Sequence, residues 1–214
     1  MEINGSAERE HEFINGATNG GKDDLISSAP YTVTVTIEGV APLLFHRWDC
    51  DAIETKSKAA KNSAAKKTDN IESYVYRDEN GTLCIPGTYL VGSLCDRKNG
   101  AAKYVQDPRS PRKSGLDLFK AGVICLTDLA STGKTDWDYL DRRRVVVQQS
   151  GITRVRPALN KGWRAEFDLM VATPEYISPT LLLETLNLAG RLCGVGDYRP
   201  TYGRFSVVSW KVRK

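Results

Sequence analysis

Hydrophobic and polar residues alternate along several segments, and this period of two predicts β-strands. The clearest example runs from Trp163 to Val171, where apolar side chains alternate with Arg164, Glu166 and Asp168. β-branched residues alternate in the same way over 31–38. Strands are therefore predicted over 31–38, 121–126, 142–148, 152–159, 162–171 and 205–212, with a short hairpin over 74–85.

Two other segments repeat their apolar residues at helical spacing. The first helix is predicted over 88–104, with Leu90 and Leu94 on its inward side. The second begins after Ser178, a capping residue followed by proline, and ends at Gly194. The resulting order β-α-β-β-α-β predicts an α+β fold with a ferredoxin-like, or RNA-recognition-type, core.

Two polar stretches stand apart from this core. Residues 48–73 are rich in Lys, Ala, Ser and Asn and lack an apolar stripe, which predicts an inserted, protruding basic arm. Residues 1–30 carry six acidic residues against Arg9 and Lys22, and this composition predicts a disordered acidic tail. Residues 31–214 suffice for one substantial core and are predicted to form a single domain.

The composition excludes several classes of protein. No run of 18 apolar residues occurs, so no transmembrane helix or membrane partner is predicted. The five cysteines form no Cys-x-x-Cys pair, which argues against a disulfide framework or a zinc ribbon and fits a reducing cytoplasm. With two histidines, a His-based metal site is not expected, and no cofactor is predicted. The fragment 131–135 lacks the first glycine of a Walker motif, so nucleotide hydrolysis is not predicted.

The net charge of +4 conceals a strong asymmetry. Since the tail carries about −4, the rest of the chain carries about +8. Basic residues are concentrated in 56–67, 97–120 and 142–164, and three such runs favour a polyanionic partner. The candidate contacts in and around these runs are Arg47, Lys56, Lys58, Lys61, Arg97, Lys98, Lys103, Arg109, Arg112, Arg142, Arg144, Arg154 and Arg156.

Residues 194–204 form a glycine-rich segment, called the glycine loop below. Its glycines permit backbone conformations that other residues disfavour. Amides that approach a phosphate, beside guanidinium groups and stacking rings, are typical of a single-stranded nucleic-acid site. The alternative is an ordinary connection between a helix and the last strand. The candidate contacts in the loop are Gly194, Gly196, Tyr198, Arg199, Tyr202 and Arg204, with Gly203 as a third glycine of the same kind.

Two motifs about 110 residues apart suggest a family. The first is carried by Arg77, Asp78, Gly81, Ile85, Pro86, Gly87, Leu90, Gly92 and Leu94. The second has the form Gly-hydrophobic-Gly…Gly-Arg-Phe and is carried by Gly194, Gly196, Gly203, Arg204 and Phe205. In this order the motifs resemble those of the RAMP superfamily, the backbone and guide-handling subunits of CRISPR effector complexes.

The resemblance implies a ferredoxin-like protein that binds single-stranded RNA without catalysis. It also implies head-to-tail assembly of copies along the strand and contacts with other effector-complex subunits. This chain departs from the family at Val91 and Cys95, where Lys and Arg are usual. The contacts with the nucleic-acid backbone that the resemblance implies for this helix would therefore come from Arg97, Lys98 or Lys103 instead.

Three alternatives stay open at this point. The first alternative is a single-stranded DNA-binding or annealing protein of a mobile element that uses the same fold outside CRISPR. A metal-dependent RNA endonuclease would use Asp49 or Asp51, since two close carboxylates can hold Mg²⁺. A mimic of a CRISPR subunit would act through protein contacts alone.

Overall fold

The chain folds as a mixed α+β structure in which every strand pairing is antiparallel. The computed structural model describes residues 9–10, 29–58, 70–147 and 150–213. Its strands are β1 (Arg9–Glu10), β2 (Tyr31–Gly39), β3 (Leu43–Leu44), β4 (Tyr76–Arg77), β5 (Leu83–Pro86), β6 (Gln106–Asp107), β7 (Ser110–Ser114), β8 (Val123–Cys125), β9 (Leu129–Ser131), β10 (Tyr139–Val147), β11 (Ser150–Leu159), β12 (Arg164–Val171) and β13 (Phe205–Arg213). Its α-helices are α1 (Cys50–Lys58), α2 (Gly87–Cys95), α3 (Leu116–Gly122) and α4 (Pro179–Leu192).

The main sheet has the order β1-β13-β2-β12-β8. Alternation places Val35 of β2 opposite Phe167 of β12, and both side chains are fully buried. Leu90 of α2 and Leu186 of α4 belong to the same core. The strands predicted over 31–38, 162–171 and 205–212 are confirmed, while β8 is shorter than predicted because α3 extends to Gly122.

Helix α4 forms as the sequence predicts. The Ser178 hydroxyl accepts a hydrogen bond from the Leu181 amide at 3.2 Å, and Pro179 occupies the first helical position. One side of the helix buries Leu182 and Leu186 against the sheet. The helix ends just before the glycine loop, so its C-terminus fixes where that loop starts.

Helix α2 is shorter than the predicted 88–104. It ends at Cys95, and a separate 3-10 turn covers Ala101–Tyr104. The Asp96 carboxylate accepts hydrogen bonds from the amides of Lys98 and Asn99 at 2.8 and 3.0 Å. These bonds compete with helical ones and turn the chain away.

Two hairpins lie outside the main sheet. Strands β10 and β11 pair along their whole length, and the end of β11 also pairs with β3, which confirms the hairpin predicted from 142–148 and 152–159. Strands β4, β5 and β9 form a third sheet, and β4–β5 is the predicted hairpin over 74–85. A short β6–β7 hairpin also forms, in which the Asp107 carboxylate accepts a hydrogen bond from the Arg109 amide and closes a tight turn.

The arm and the tail are described only in part. The arm predicted over 48–73 begins with α1 and ends with a 3-10 turn, Ile71–Tyr74, and residues 59–69 lie outside the described residues. Of the tail over 1–30, the structure describes 9–10, paired with the end of β13, and 29–30. None of the helices in the described ranges is long and apolar enough to cross a membrane.

Candidate nucleic-acid interface

The glycine loop packs closely against β3 and against itself. Gly203 has φ +70°, and a Cβ atom there would lie 1.7 Å from the Val195 carbonyl oxygen. Gly196 has φ +80°, and a Cβ atom there would lie 2.6 Å from a methyl carbon of Leu43. Other residues at these two positions would be strained and would overlap their neighbours. The loop therefore requires glycine because of packing inside the fold.

The amides of the loop are largely used within the protein. Gly194 N–H donates to Ala189 O at 2.9 Å, and Gly203 N–H donates to Pro42 O at 2.8 Å. The prediction that glycine amides of this loop approach a phosphate is therefore wrong for these two residues. Side chains must supply most of any contact between the loop and a strand.

An arginine and two tyrosines, Arg143, Tyr198 and Tyr202, form what we call the arginine–tyrosine cluster. Arg143 Cζ lies 4.8 Å from the Tyr198 ring centroid and 4.7 Å from that of Tyr202. The guanidinium also donates to the Asp141 carboxylate and to the Tyr202 hydroxyl. The hydrogen bonds to Asp141 raise the pKa of Arg143, so this side chain keeps its charge. Arg143 thus holds both rings in place.

The register of the β10–β11 hairpin decides which arginines meet the glycine loop. Opposite residues of an antiparallel pair project to one face, and consecutive residues project to opposite faces. Arg143 pairs with Arg154, so both project towards the loop. Arg142 and Arg144 are exposed on the other face, so the structure does not bring these two predicted contacts to the loop. Arg143 is not among the contacts predicted from the sequence. The alternation of side chains along β10 is the signal that separates it from Arg142 and Arg144.

Arg156 is predicted from the sequence as a surface contact, but the structure buries it on the inner face of the hairpin. It is 6% exposed, and its Nε donates to the Asp197 carboxylate of the loop. His46 joins this pair, with Nδ1 3.9 Å from Asp197 Oδ2 and Nε2 3.4 Å from Arg154 Nη1. Arg156 therefore anchors the loop through Asp197. The half-buried Arg154 lies next to His46 in the same set of side chains.

The two loop arginines have different surroundings. Arg204 is exposed, and its Nε donates to the Pro200 carbonyl at 2.8 Å. Arg199 is half-buried, and its Nη1 lies beside α2, 3.9 Å from where a Cβ of Gly92 would be. The pKa of Asp96 lies below its ordinary value, first because two backbone amides donate to the carboxylate, and also because Arg199 lies near it. The loop thus adjoins the C-terminal end of α2.

Four more of the predicted basic residues come from two other segments. Arg97 and Lys98 are exposed shortly after α2, and Lys103 Nζ donates to the Lys98 carbonyl at 3.4 Å. Arg47 is exposed between β3 and α1, with its Cζ 5.5 Å from the centroid of the Tyr76 ring. Together with Arg199, these residues extend the positive charge beyond the arginine–tyrosine cluster.

Other predicted contacts lie elsewhere. Arg109 is held by the Asp107 carboxylate at 2.8 Å and lies over the Tyr176 ring, and Arg112 is exposed on β7. In the arm, Lys58 pairs with Glu54 at 2.5 Å. The side chain of Lys56 and the whole of Lys61 lie outside the described residues.

The carboxylates considered for metal-dependent cleavage lie at the start of α1. Asp49 Oδ1 accepts a hydrogen bond from the Asp51 amide at 3.0 Å, which is a helix-capping arrangement. Within the described ranges, no group of three or more His, Cys, Asp and Glu side chains could hold a metal ion. The geometry gives Asp49 a structural part in beginning α1.

Comparison with known proteins assigns no family. No family model matches the chain, and no curated protein matches it. The function must be inferred from the geometry and the motifs.

Proposed function

We propose that this protein binds single-stranded nucleic acid, with RNA favoured, through the phosphate backbone and without catalysis. The observation that carries the proposal is the convergence of basic and aromatic side chains from separate parts of the chain at one loop. Arg143 comes from β10, Arg154 from β11 and Arg199 from the loop, and Arg97 and Lys98 follow α2.

The exposure of these side chains determines which of them can contact a phosphate and which hold the loop in place. Exposed or half-buried arginines such as Arg199 and Arg204 present forked N–H donors that suit phosphate oxygens. Arg143 and Arg156 are paired with carboxylates and fix the loop that carries the exposed groups. A fixed loop lowers the entropic cost of ordering the site when a strand binds.

The fold supports the relationship to the RAMP superfamily that we propose with this function. Four strands of the main sheet, β2, β8, β12 and β13, have the spatial order 4-1-3-2 when numbered along the chain, as in a ferredoxin-like sheet. Helix α4 connects the third of these strands to the fourth. The glycine loop follows that helix, at the place where the family carries its own glycine-rich loop.

By the same resemblance, we propose that copies of the protein assemble head to tail along the strand. Heterologous contacts of this kind produce open helical arrays when the rotation between copies does not close. The strand would then run past the glycine loop of successive copies. Contacts with other subunits of an effector complex belong to the same proposal.

The test is a fluorescence-anisotropy titration with matched RNA and DNA strands of about 12 nucleotides. If about five phosphates are neutralised per protomer, log affinity should fall with log salt at a slope near −3 to −4. The resemblance to RNA-binding subunits leads us to expect tighter binding of RNA, and matched strands test this because they differ locally in the 2′-hydroxyl.

Two outcomes would contradict the proposal. A slope of log affinity against log salt near zero, between low and moderate salt, would show that the protein does not bind through phosphates. Tighter binding of the DNA strand would keep phosphate binding but assign the protein to DNA. Electron microscopy of the protein with long RNA tests the array separately, since isolated particles would contradict it.

A further inference from the structure

Trp48 is the most exposed of the large hydrophobic side chains in the described residues, with 74% of its surface accessible. A tryptophan left in water gives up the stabilisation that burial of its large apolar surface would provide. The other tryptophans belong to the core or pack against it: Trp137, Trp163 and Trp210. The exposure of Trp48 is therefore specific to its position.

The backbone presents Trp48 in a fixed place. The amide of Phe45 donates to the Pro157 carbonyl at 3.0 Å, and the amide of Arg47 donates to the Tyr74 carbonyl at 2.9 Å. Helix α1 begins two residues after Trp48. The side chain thus stands between two anchored segments, which is the arrangement that a preorganised platform requires.

The tyrosines near the glycine loop, by contrast, already have partners on their rings. Arg143 lies over both Tyr198 and Tyr202, at 4.8 and 4.7 Å from their centroids. Arg47 lies 5.5 Å from the centroid of Tyr76. The ring of Trp48 has no aromatic or cationic partner among the described residues. About three quarters of its surface is therefore left accessible to a flat ligand.

Trp48 also lies beside the proposed strand path. His46, two residues earlier, is 3.9 Å from Asp197 of the glycine loop and 3.4 Å from Arg154. Two peptide units separate the Cα atoms of His46 and Trp48 by at most about 7.6 Å. Arg47 between them is exposed and positively charged. A strand whose phosphates lie at the loop can bring a base to the indole ring.

From these observations we infer that Trp48 is a base-stacking platform, and that its ligand is a nucleobase of the bound single strand. This inference rests on the proposed function. Stacking on an open indole face depends little on the identity of the base, because every base has a flat π-face. It assigns the stacking contact to Trp48 in place of the two tyrosines of the glycine loop.

The experiment compares an oligouridylate of about 12 nucleotides with an abasic strand of the same length, which keeps the phosphates and lacks the bases. Trp48→Ala should weaken binding of oligouridylate about five- to 150-fold, the range for one stacked base, and leave the abasic strand unaffected. Trp48→Phe should retain most of the affinity, whereas Trp48→Leu, which keeps an apolar side chain without a π-face, should behave like Trp48→Ala. Leu126→Ala changes an exposed apolar residue directly after β8, the edge strand of the main sheet, and should have no effect.

Indole fluorescence gives a second readout that does not depend on affinity. Oligouridylate should quench the emission of the wild type at saturation, and Trp48→Phe should lose that quenching. Equal losses of affinity on both strands, or none, would overturn the inference. Loss of self-association with unchanged strand affinity would overturn it too and would show that Trp48 contacts protein. If the wild type binds neither strand, the proposed function itself fails; if it binds the abasic strand alone, only the stacking platform fails.

Discussion

Gly203→Ala is the substitution whose effect the structure specifies most closely. The Cβ atom would lie 1.7 Å from the Val195 carbonyl oxygen and 2.7 Å from its carbonyl carbon, and both are backbone atoms. Val195 cannot simply move away, because its amide donates to the Gly203 carbonyl at 2.9 Å. Gly203 N–H is in turn bound to the Pro42 carbonyl. The substitution therefore strains the backbone and breaks at least one of these hydrogen bonds.

The magnitude follows from these two contributions. A left-handed backbone costs an alanine about 1–2 kcal/mol. Loss of one of these hydrogen bonds, with a buried carbonyl left without a donor, costs about 2–4 kcal/mol more. The free energy of unfolding should thus fall by about 3–6 kcal/mol, a large part of the total for a typical domain.

Gly133→Ala is the matched control. Gly133 has φ +71°, almost the same as Gly203, but nothing lies within 4 Å of the position its Cβ would take. In this variant the free energy of unfolding should fall only by the cost of backbone strain, about 1–2 kcal/mol. In urea denaturation followed by circular dichroism, the free energies of unfolding of the two variants should differ by about 2–4 kcal/mol. In thermal melts the same difference should appear as about 4–16 °C in Tm. Equal losses in the two variants would refute the packing described for the glycine loop.

Two further predictions concern the loop arginines and the buried thiols. Replacing Arg199 and Arg204 together by alanine should flatten the slope of log affinity against log salt by up to about two. The same double change at Arg142 and Arg144, on the other face of β10, should flatten it less, and equal flattening would contradict the assignment of the inner face. Burial raises the pKa of the Cys95 thiol to about 12, so at pH 8 it should react with a disulfide reagent only as the protein unfolds. The exposed Cys50 should react at once, and rapid labelling of both thiols in the folded protein would refute this.

Local patterns predicted the elements whose causes are local. Alternation over 162–171 predicted β12, and Ser178 with Pro179 predicted the start of α4. Helix α2 was predicted too long because a propensity pattern does not show that the Asp96 carboxylate will bind the amides that follow. An Asp followed by polar residues was the available signal, and it competes with helix formation.

The composition of the site depended on pairings that lie far apart in the chain. Sequence alone showed that Arg142, Arg143 and Arg144 would alternate between two faces of a strand. It did not show which face meets a loop that begins 50 residues later. Only the docking of the hairpin on β3 and the glycine loop selects Arg143. The glycines were recognised correctly as necessary, but their cause is internal packing, which requires knowledge of Val195 and Leu43 as neighbours.

A count of basic residues along the β10–β11 hairpin overstates the positive charge that it could offer to a phosphate. Two of the three arginines on its inner face, Arg143 and Arg156, do not act as free charges, because Asp141 neutralises the first and Asp197 the second. A phosphate that displaced either carboxylate would leave an unpaired acid beside it, which opposes binding. If the proposed function holds, the attraction for phosphate comes from arginines outside these pairs, such as Arg199 in the loop. The salt dependence of the proposed binding should then report on those residues, while the paired arginines hold the loop in place.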